Sequence, residues 1–75
     1  MARQLKNIFP MLRAKMAEKN DNVMDLSAAL MLSDDSVRRR LRGDKEFELA
    51  ELKILSVRYE MGIDELFAED PHKFS

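Results

Sequence analysis

The sequence contains no cysteine and has only two glycines, two prolines and one histidine. The absence of cysteine excludes a disulfide framework, a zinc ribbon and a thiol nucleophile. So few glycines and prolines disfavour an all-β fold with many turns and favour helices. The longest apolar runs, at 23–24 and 28–32, are too short to span a membrane.

The sequence offers few residues for catalytic chemistry. The lone histidine, His72, lies near the C-terminal end, and no serine has a histidine base within reach. One histidine without cysteine makes no metal site, and a hydrolytic triad is excluded. The chain also lacks a glycine-rich phosphate loop. We therefore expect no enzyme, no metal, no cofactor and no small-molecule ligand.

The chain has 75 residues, of which 45% are hydrophobic and 36% are charged. This length fits one small domain or a fragment of a longer protein. The apolar share is too high for a disordered tail. Because no apolar stretch follows Arg3 and Lys6, no secretory signal is visible, and we expect an intracellular, cytoplasmic protein.

The charges are unevenly distributed, although the net charge is only −1. Residues 1–45 contain ten Lys/Arg and six Asp/Glu, a balance of +4, whereas residues 46–75 contain three and eight, a balance of −5. The densest basic stretch is 38–42, which holds four arginines. A local field of this kind attracts anionic partners even when the net charge is small.

The spacing of the apolar residues predicts an all-α protein, a compact bundle of four or five short helices. The predicted helices are about 7–19, 23–31, 34–42 and 49–59, with a last helical turn at 64–67. Residues 1–67 then form one domain. The acidic segment 68–75 is expected to be a flexible tail or the start of a linker.

Helix ends and helix faces can also be predicted. Asn7 is a candidate N-cap with Pro10 in the first turn, and either Asp21 or Asn22 caps the second helix. On the fourth helix, the residues expected to lie along one core-facing side are Leu49, Leu52, Leu55, Ser56 and Tyr59.

The second and third predicted helices form the most informative unit. They meet at the short turn 31–33, where Ser33 caps the third helix, and Gly43 follows the end of that helix. The third helix has two acids in its first turn and then four arginines. Such a helix can lie in the major groove of DNA, where its first side chains reach base edges and its arginines contact phosphates.

An ordered set of residues extends this pattern along the chain. The set comprises Leu12, Asp25-Leu26-Ser27, Leu30, Ser33, Ser36-Val37, Arg39, Gly43, Phe47, Leu49, Glu51 and Ile63-Asp64-Glu65-Leu66-Phe67. Through these residues the chain resembles the Cro/repressor-type (lambda-repressor-like) helix-turn-helix domain of phage repressors and many bacterial regulators. The resemblance implies a sequence-specific transcriptional regulator, or its N-terminal DNA-binding module, with 34–42 as the recognition helix on double-stranded DNA.

The resemblance also implies roles for individual residues. The DNA-binding candidates are Asp34, Asp35, Ser36, Arg38, Arg39, Arg42 and Lys45, with Lys15 and Lys19 as further phosphate contacts. Asp34, Asp35 and Arg39 lie where the family places base-contacting side chains. Ser36 and Arg42 lie where the family contacts phosphates.

Three features depart from the family pattern. Val23 occupies the position of a glutamine that contacts DNA, and valine cannot make that hydrogen bond. Met31 replaces a common glycine, so the turn must tolerate a side chain. Many relatives have a buried Arg–Glu pair where this chain has Met16 and Leu41, so we expect an apolar contact there.

Several of these residues have a second interpretation. Asp34 and Asp35 either complement the helix dipole or accept hydrogen bonds from the amino group of cytosine. The arginines are either DNA contacts or a solvated charged face. Arg40 is expected to point away from the others and to cover the core with its stem.

Some apolar residues do not follow a buried stripe. Met16 and Met61 fit the core, whereas the residues expected outside it are Met11, Met24, Met31, Ile54 and Val57. Met24, Ile54 and Val57 either form a homodimer face or are scattered exposed residues, which are normal. They would carry the alternative function, that of a helical protein-interaction or oligomerisation module that has lost DNA binding.

Overall fold

The computed structural model describes residues 8–68, and helices make up 67% of them. Within this range there is no strand. The helices of the described chain are α1 (Pro10–Glu18), α2 (Val23–Leu30), α3 (Asp34–Arg42), α4 (Leu49–Tyr59) and α5 (Ile63–Leu66). The prediction of an all-α protein is confirmed. The tail expected beyond position 67 lies, apart from Ala68, outside the described residues.

Helix α1 begins at Pro10, whose fixed φ suits the first helical position, where no N–H is needed. Asn7, the predicted N-cap, lies outside the described residues, and Phe9 occupies the cap position. Leu12 and Met16 are buried one turn apart. These two side chains are the contribution of α1 to the core.

Helix α2 is capped by Asn22. The Asn22 side chain accepts a hydrogen bond from the Asp25 N–H at 3.0 Å, and the Asp25 carboxylate accepts one from the Asn22 N–H at 2.9 Å. This reciprocal arrangement is a capping box with aspartate in the place of glutamate. Because Asn22 provides the cap, Asp21 is available for a contact elsewhere. Leu26 and Leu30 are buried one turn apart.

Helix α3 has the predicted signals at both ends. The Ser33 hydroxyl oxygen accepts a hydrogen bond from the Ser36 N–H at 3.1 Å. Gly43 ends the helix with a φ of 88°, a left-handed conformation that costs glycine little. A Cβ at Gly43 would also lie 2.8 Å from Cδ1 of Ile8, so both backbone and space favour glycine here.

Helix α4 turns Glu51, Leu55 and Tyr59 toward the core, with the half-buried Leu52 beside them. Leu49 is 62% exposed, so its predicted place on the core-facing side is wrong. Residues 51, 55 and 59 follow one another at four-residue intervals, and this spacing leaves position 49 well outside the buried stripe.

All five helices contribute to one hydrophobic core. Its buried side chains are Leu12, Met16, Leu26, Leu30, Val37, Leu41, Leu55, Tyr59 and Leu66. Phe9, Phe47 and Phe67 pack against it and contact one another edge to face, with ring centroids 5.2 to 5.7 Å apart. The Cα radius of gyration is 12.1 Å, as expected for a compact domain of this size.

Candidate nucleic-acid interface

Helix α3 exposes a strip of charged side chains. The exposed residues of this helix are Asp35, Arg38, Arg39 and Arg42. An α-helix has 3.6 residues per turn, so these four positions fall within about 100° of one another around its axis. We call this strip the arginine face. With three arginines and one aspartate, it carries a local positive charge.

The fourth arginine of the helix, Arg40, is buried. Its Nε donates a hydrogen bond to Oε1 of Glu51 at 2.8 Å, and its Nη2 donates to Oε2 at 3.3 Å. Arg40 does point away from the arginine face, but its charged end does not reach solvent, and in this respect the prediction is wrong. Its position between Val37 and Leu41 in the helical repeat is the signal that could have indicated this burial.

The buried ion pair of this chain joins α3 to α4. Met16 and Leu41, where relatives of the resembled family have such a pair, both lie in the hydrophobic core. Arg40 and Glu51 are both less than a tenth exposed. Breaking a desolvated pair leaves a buried charge without its partner. This pair therefore resists displacement of α3 relative to α4.

Arg13 of α1 holds the other end of α3. Its Nη2 donates a hydrogen bond to the carbonyl oxygen of Leu41 at 2.9 Å. The last carbonyl groups of a helix have no partner within the helix, so a cationic donor there is stabilising. Sequence reasoning gave Arg13 no role. With Val37 in the core as well, α3 is attached along its whole inner side and presents the arginine face from a rigid support.

The link between α2 and α3 is only three residues long. Met31 adopts the left-handed conformation, with φ 59°, at the position where a glycine is common in the resembled family. The hydroxyl of Ser27 donates a hydrogen bond to the Leu32 carbonyl oxygen, and the Leu32 N–H donates to the Ser27 carbonyl at 3.0 Å. The Met31 side chain is accommodated because it is 90% exposed.

Two guanidinium groups of the arginine face are paired with carboxylates. Nε of Arg39 lies 3.1 Å from Oδ2 of Asp35, one turn earlier, and Nε of Arg42 lies 3.0 Å from Oδ2 of Asp44. All four side chains are more than half exposed, so water screens these pairs and they contribute little to stability. Arg38 forms no ion pair with another residue of the range 8–68. These arginines can therefore exchange carboxylates for other anions at low cost.

The other predicted DNA-contact residues lie beside the arginine face. Asp34 and Ser36 are half-buried in the first turn of α3. The Ser36 hydroxyl oxygen accepts a hydrogen bond from the hydroxyl of Ser33 at 3.0 Å. Lys45 is exposed in the link between α3 and α4. Of the seven candidates, four therefore form the exposed strip and three adjoin it in the chain.

The candidates in α1 and α2 make weaker contributions. Lys15 is paired with Glu18 at 3.1 Å, whereas Lys19 is exposed. Val23, at the first position of α2, packs against the core. An apolar contact thus replaces the polar one that the resembled family has at that position.

A second polar cluster joins the α1–α2 link to the end of α4. The Asp21 carboxylate accepts two hydrogen bonds from Arg58 at 2.9 Å and one from the Tyr59 hydroxyl at 2.6 Å. The hydrogen bonds from Arg58 are the main reason that the pKa of Asp21 lies below its usual 3.8. Burial, aided by the hydrogen bond to Asp21, raises the pKa of Tyr59. Asp21 therefore connects two elements instead of capping α2.

The predicted homodimer-face residues are all exposed. The exposed fractions are 67% for Met24, 41% for Ile54 and 78% for Val57. Ile54 and Val57 lie on the side of α4 opposite to its buried side chains, and Met24 lies on α2. Exposure agrees with both interpretations of these residues, a contact surface or scattered apolar side chains.

Two general searches of the structure had negative results. Within residues 8–68, no group of three or more His, Cys, Asp or Glu side chains is arranged to hold a metal ion. In the same part of the chain, no helix combines the length and the apolar character that crossing a membrane requires.

Comparison with known proteins gives no relative from which a function could be transferred. No protein-family model, no curated protein and no solved structure matches the chain. A function for this protein must therefore come from its own side chains and their geometry.

Proposed function

We propose that this chain is a sequence-specific DNA-binding domain of a transcriptional regulator, with α3 inserted in the major groove. The observation that carries the proposal is the arginine face. It places three guanidinium groups on the outer side of a helix whose inner side is fixed by Val37, Arg40 and Leu41. A rigid helix with exposed arginines can contact phosphates and base edges together.

The link between α2 and α3 supports this proposal. We infer that the two helices form a helix-turn-helix, since they are consecutive, short and joined by three residues. Ser33 directs the first turn of α3 by capping it. The resemblance of the ordered sequence set to the Cro/repressor-type family points in the same direction.

The individual roles follow from charge and reach. Arg38 and Arg42 are one turn apart and suit two phosphates of one backbone. Arg39 suits a base edge, since guanidinium groups bind the two acceptors of guanine. Asp35, which pairs with Arg39 in the free protein, could accept from a cytosine amino group. Binding would therefore replace the Asp35–Arg39 pair with two contacts to DNA.

The test is fluorescence anisotropy with a short mixed-sequence duplex that accommodates one domain, titrated over a range of salt concentrations. We expect log K to fall linearly with log salt concentration, because bound cations are released from the phosphates. Arg42→Gln should weaken binding to all duplexes and reduce the slope by about one unit. Lys53→Gln removes the same charge from the outer side of α4 and should leave the slope unchanged.

Selectivity tests the role of Arg39 separately. After selection of a preferred sequence, Arg39→Ala should relax the preference at one position by about 1–3 kcal/mol. Unchanged affinity and unchanged preference in this variant would rule out α3 as the recognition helix. No binding of the wild-type protein at about 20 mM salt, where screening is weak, would contradict DNA binding altogether.

The second candidate function is a helical protein-interaction module. It is favoured by the exposed apolar side chains of Met24 and Val57 and by the two arginines already paired with carboxylates. Charge reversal with Arg39→Glu and Arg42→Glu separates the two functions. This double variant should abolish DNA binding, whereas an interaction through the apolar residues should survive it.

A further inference from the structure

The outer side of α4 carries an apolar stripe. Ala50, Ile54 and Val57 are all exposed and follow one another at four- and three-residue intervals. This spacing places them on one side of the helix, opposite the buried Leu55 and Tyr59. We call these three residues the α4 stripe. Its spacing is that of the contact positions in paired helices.

We propose that the α4 stripe packs against the same stripe of a second copy of this chain, with the two helices antiparallel. A two-fold axis makes such a contact self-complementary, since every pair of residues occurs twice. In the matching register Ile54 faces the partner's Val57. Ala50 then faces the partner's Met61, where its small side chain leaves room for the longer one. This inference does not depend on DNA binding.

Charge complementarity along one flank of the stripe selects this partner. Lys53 and Glu60 lie on the same flank, seven residues apart, and both are exposed. Neither forms an ion pair with another residue of the described chain. In an antiparallel pair the same flanks of the two helices face each other, so Lys53 lies beside the partner's Glu60. By symmetry the contact forms twice.

The charges also select the direction of the second helix. In a parallel pair Lys53 would lie beside the partner's Arg58, and like charges would repel. On the other flank of the antiparallel pair the charged side chains are already satisfied within each copy. Arg58 is bound to Asp21, and Glu51 is bound to Arg40. That flank therefore adds no repulsion to the antiparallel contact.

The small size of the stripe limits the strength of the association. A contact between two helices of this length buries less than the roughly 1,600 Å² of a standard protein interface. We therefore expect a dimer that dissociates on dilution. The measurement must extend to high protein concentration.

Sedimentation equilibrium of the protein without DNA, from about 10 μM to about 1 mM, provides the first test. The wild-type mass should rise from monomer to dimer over this range. Val57→Asp should stay monomeric, and circular dichroism should show an unchanged fold because this side chain is 78% exposed. The matched control is Met24→Asp, which places the same charge at an exposed apolar position of α2 and should dimerise like the wild type.

Charge exchange tests the register. Lys53→Glu or Glu60→Lys alone should raise the dissociation constant about tenfold, because each creates two like-charged contacts. The variant with both changes should regain the wild-type constant. A monomeric wild type at the highest concentration, a Val57→Asp protein that dimerises normally, or failure of the double exchange to restore association would each overturn the proposal.

Discussion

At the scale of single residues, the strained ends of α2 and α4 use the same side-chain device. Met31 and Glu60 are non-glycine residues in the left-handed conformation, with φ 59° and 53°. Four residues before each of them is a serine, Ser27 or Ser56, whose hydroxyl donates to the carbonyl oxygen just after the strained residue. The serine fixes the turn, and the strained residue remains strained, since a side chain in this conformation costs about 1–2 kcal/mol.

Met31→Gly should therefore stabilise the protein. Glycine adopts this conformation without the steric cost but loses about 0.5–1 kcal/mol through its greater freedom in the unfolded chain. We expect the free energy of unfolding to rise by about 0.5–1 kcal/mol in urea titrations. Met31→Ala keeps the strained backbone without the long side chain and should bring no such gain. An equal gain from alanine would attribute the effect to the methionine side chain instead of its φ angle.

At the scale of secondary-structure elements, the attachment of α3 to α4 depends on the buried pair of Arg40 and Glu51. Oε1 of Glu51 also accepts the backbone N–H of Glu48, at 3.0 Å, so this carboxylate serves the beginning of α4 as well. Removing one partner of a buried ion pair costs more than replacing both by apolar residues, because a lone charge stays desolvated.

Glu51→Leu alone should cost about 3 kcal/mol, an amount comparable with the whole stability of so small a domain. The double variant Arg40→Met with Glu51→Leu should recover most of that loss. Urea unfolding followed by circular dichroism measures both. If the double variant is as unstable as the single one, the pair matters for its hydrogen bonds to backbone and not for mutual compensation of charge.

The elements differ in how far sequence could predict them, and the difference is one of range. The bounds of α3 follow from Ser33 and Gly43, which act within one turn of the helix end. The arginine face follows from the helical repeat alone. The partner of Arg40 is eleven positions away and that of Asp21 is thirty-seven away. Such contacts depend on how helices pack, and no local pattern encodes them.

At the scale of the whole molecule, two sets of contacts connect distant parts of the described chain. Phe9, Phe47 and Phe67 join the segment before α1, the α3–α4 link and the residue after α5. The hydrogen bonds of Asp21 join the α1–α2 link to the C-terminal end of α4. The second set contains an ionisable group, so the stability of the fold should depend on pH.

The sign of that dependence follows from the lowered pKa of Asp21. The native state releases the proton more readily than the unfolded chain, whose carboxyl has a pKa near 3.8. The contribution of Asp21 is therefore complete well above pH 3.8 and is lost as the pH falls through the lower pKa of the native state. Asp21→Asn keeps the shape of the side chain but removes its charge.

At about pH 6.5, Asp21→Asn should lower the free energy of unfolding by about 1–3 kcal/mol, because charged acceptors bind Arg58 more strongly than neutral ones. At about pH 2.5 the wild-type carboxyl also approaches neutrality, so the difference between the two proteins should shrink. Glu46→Gln, a change at an exposed link residue that forms no ion pair within 8–68, controls for the loss of one negative charge. A difference between wild type and Asp21→Asn that stays constant from neutral to acidic pH would mean that shape and not charge holds Asp21 to α4.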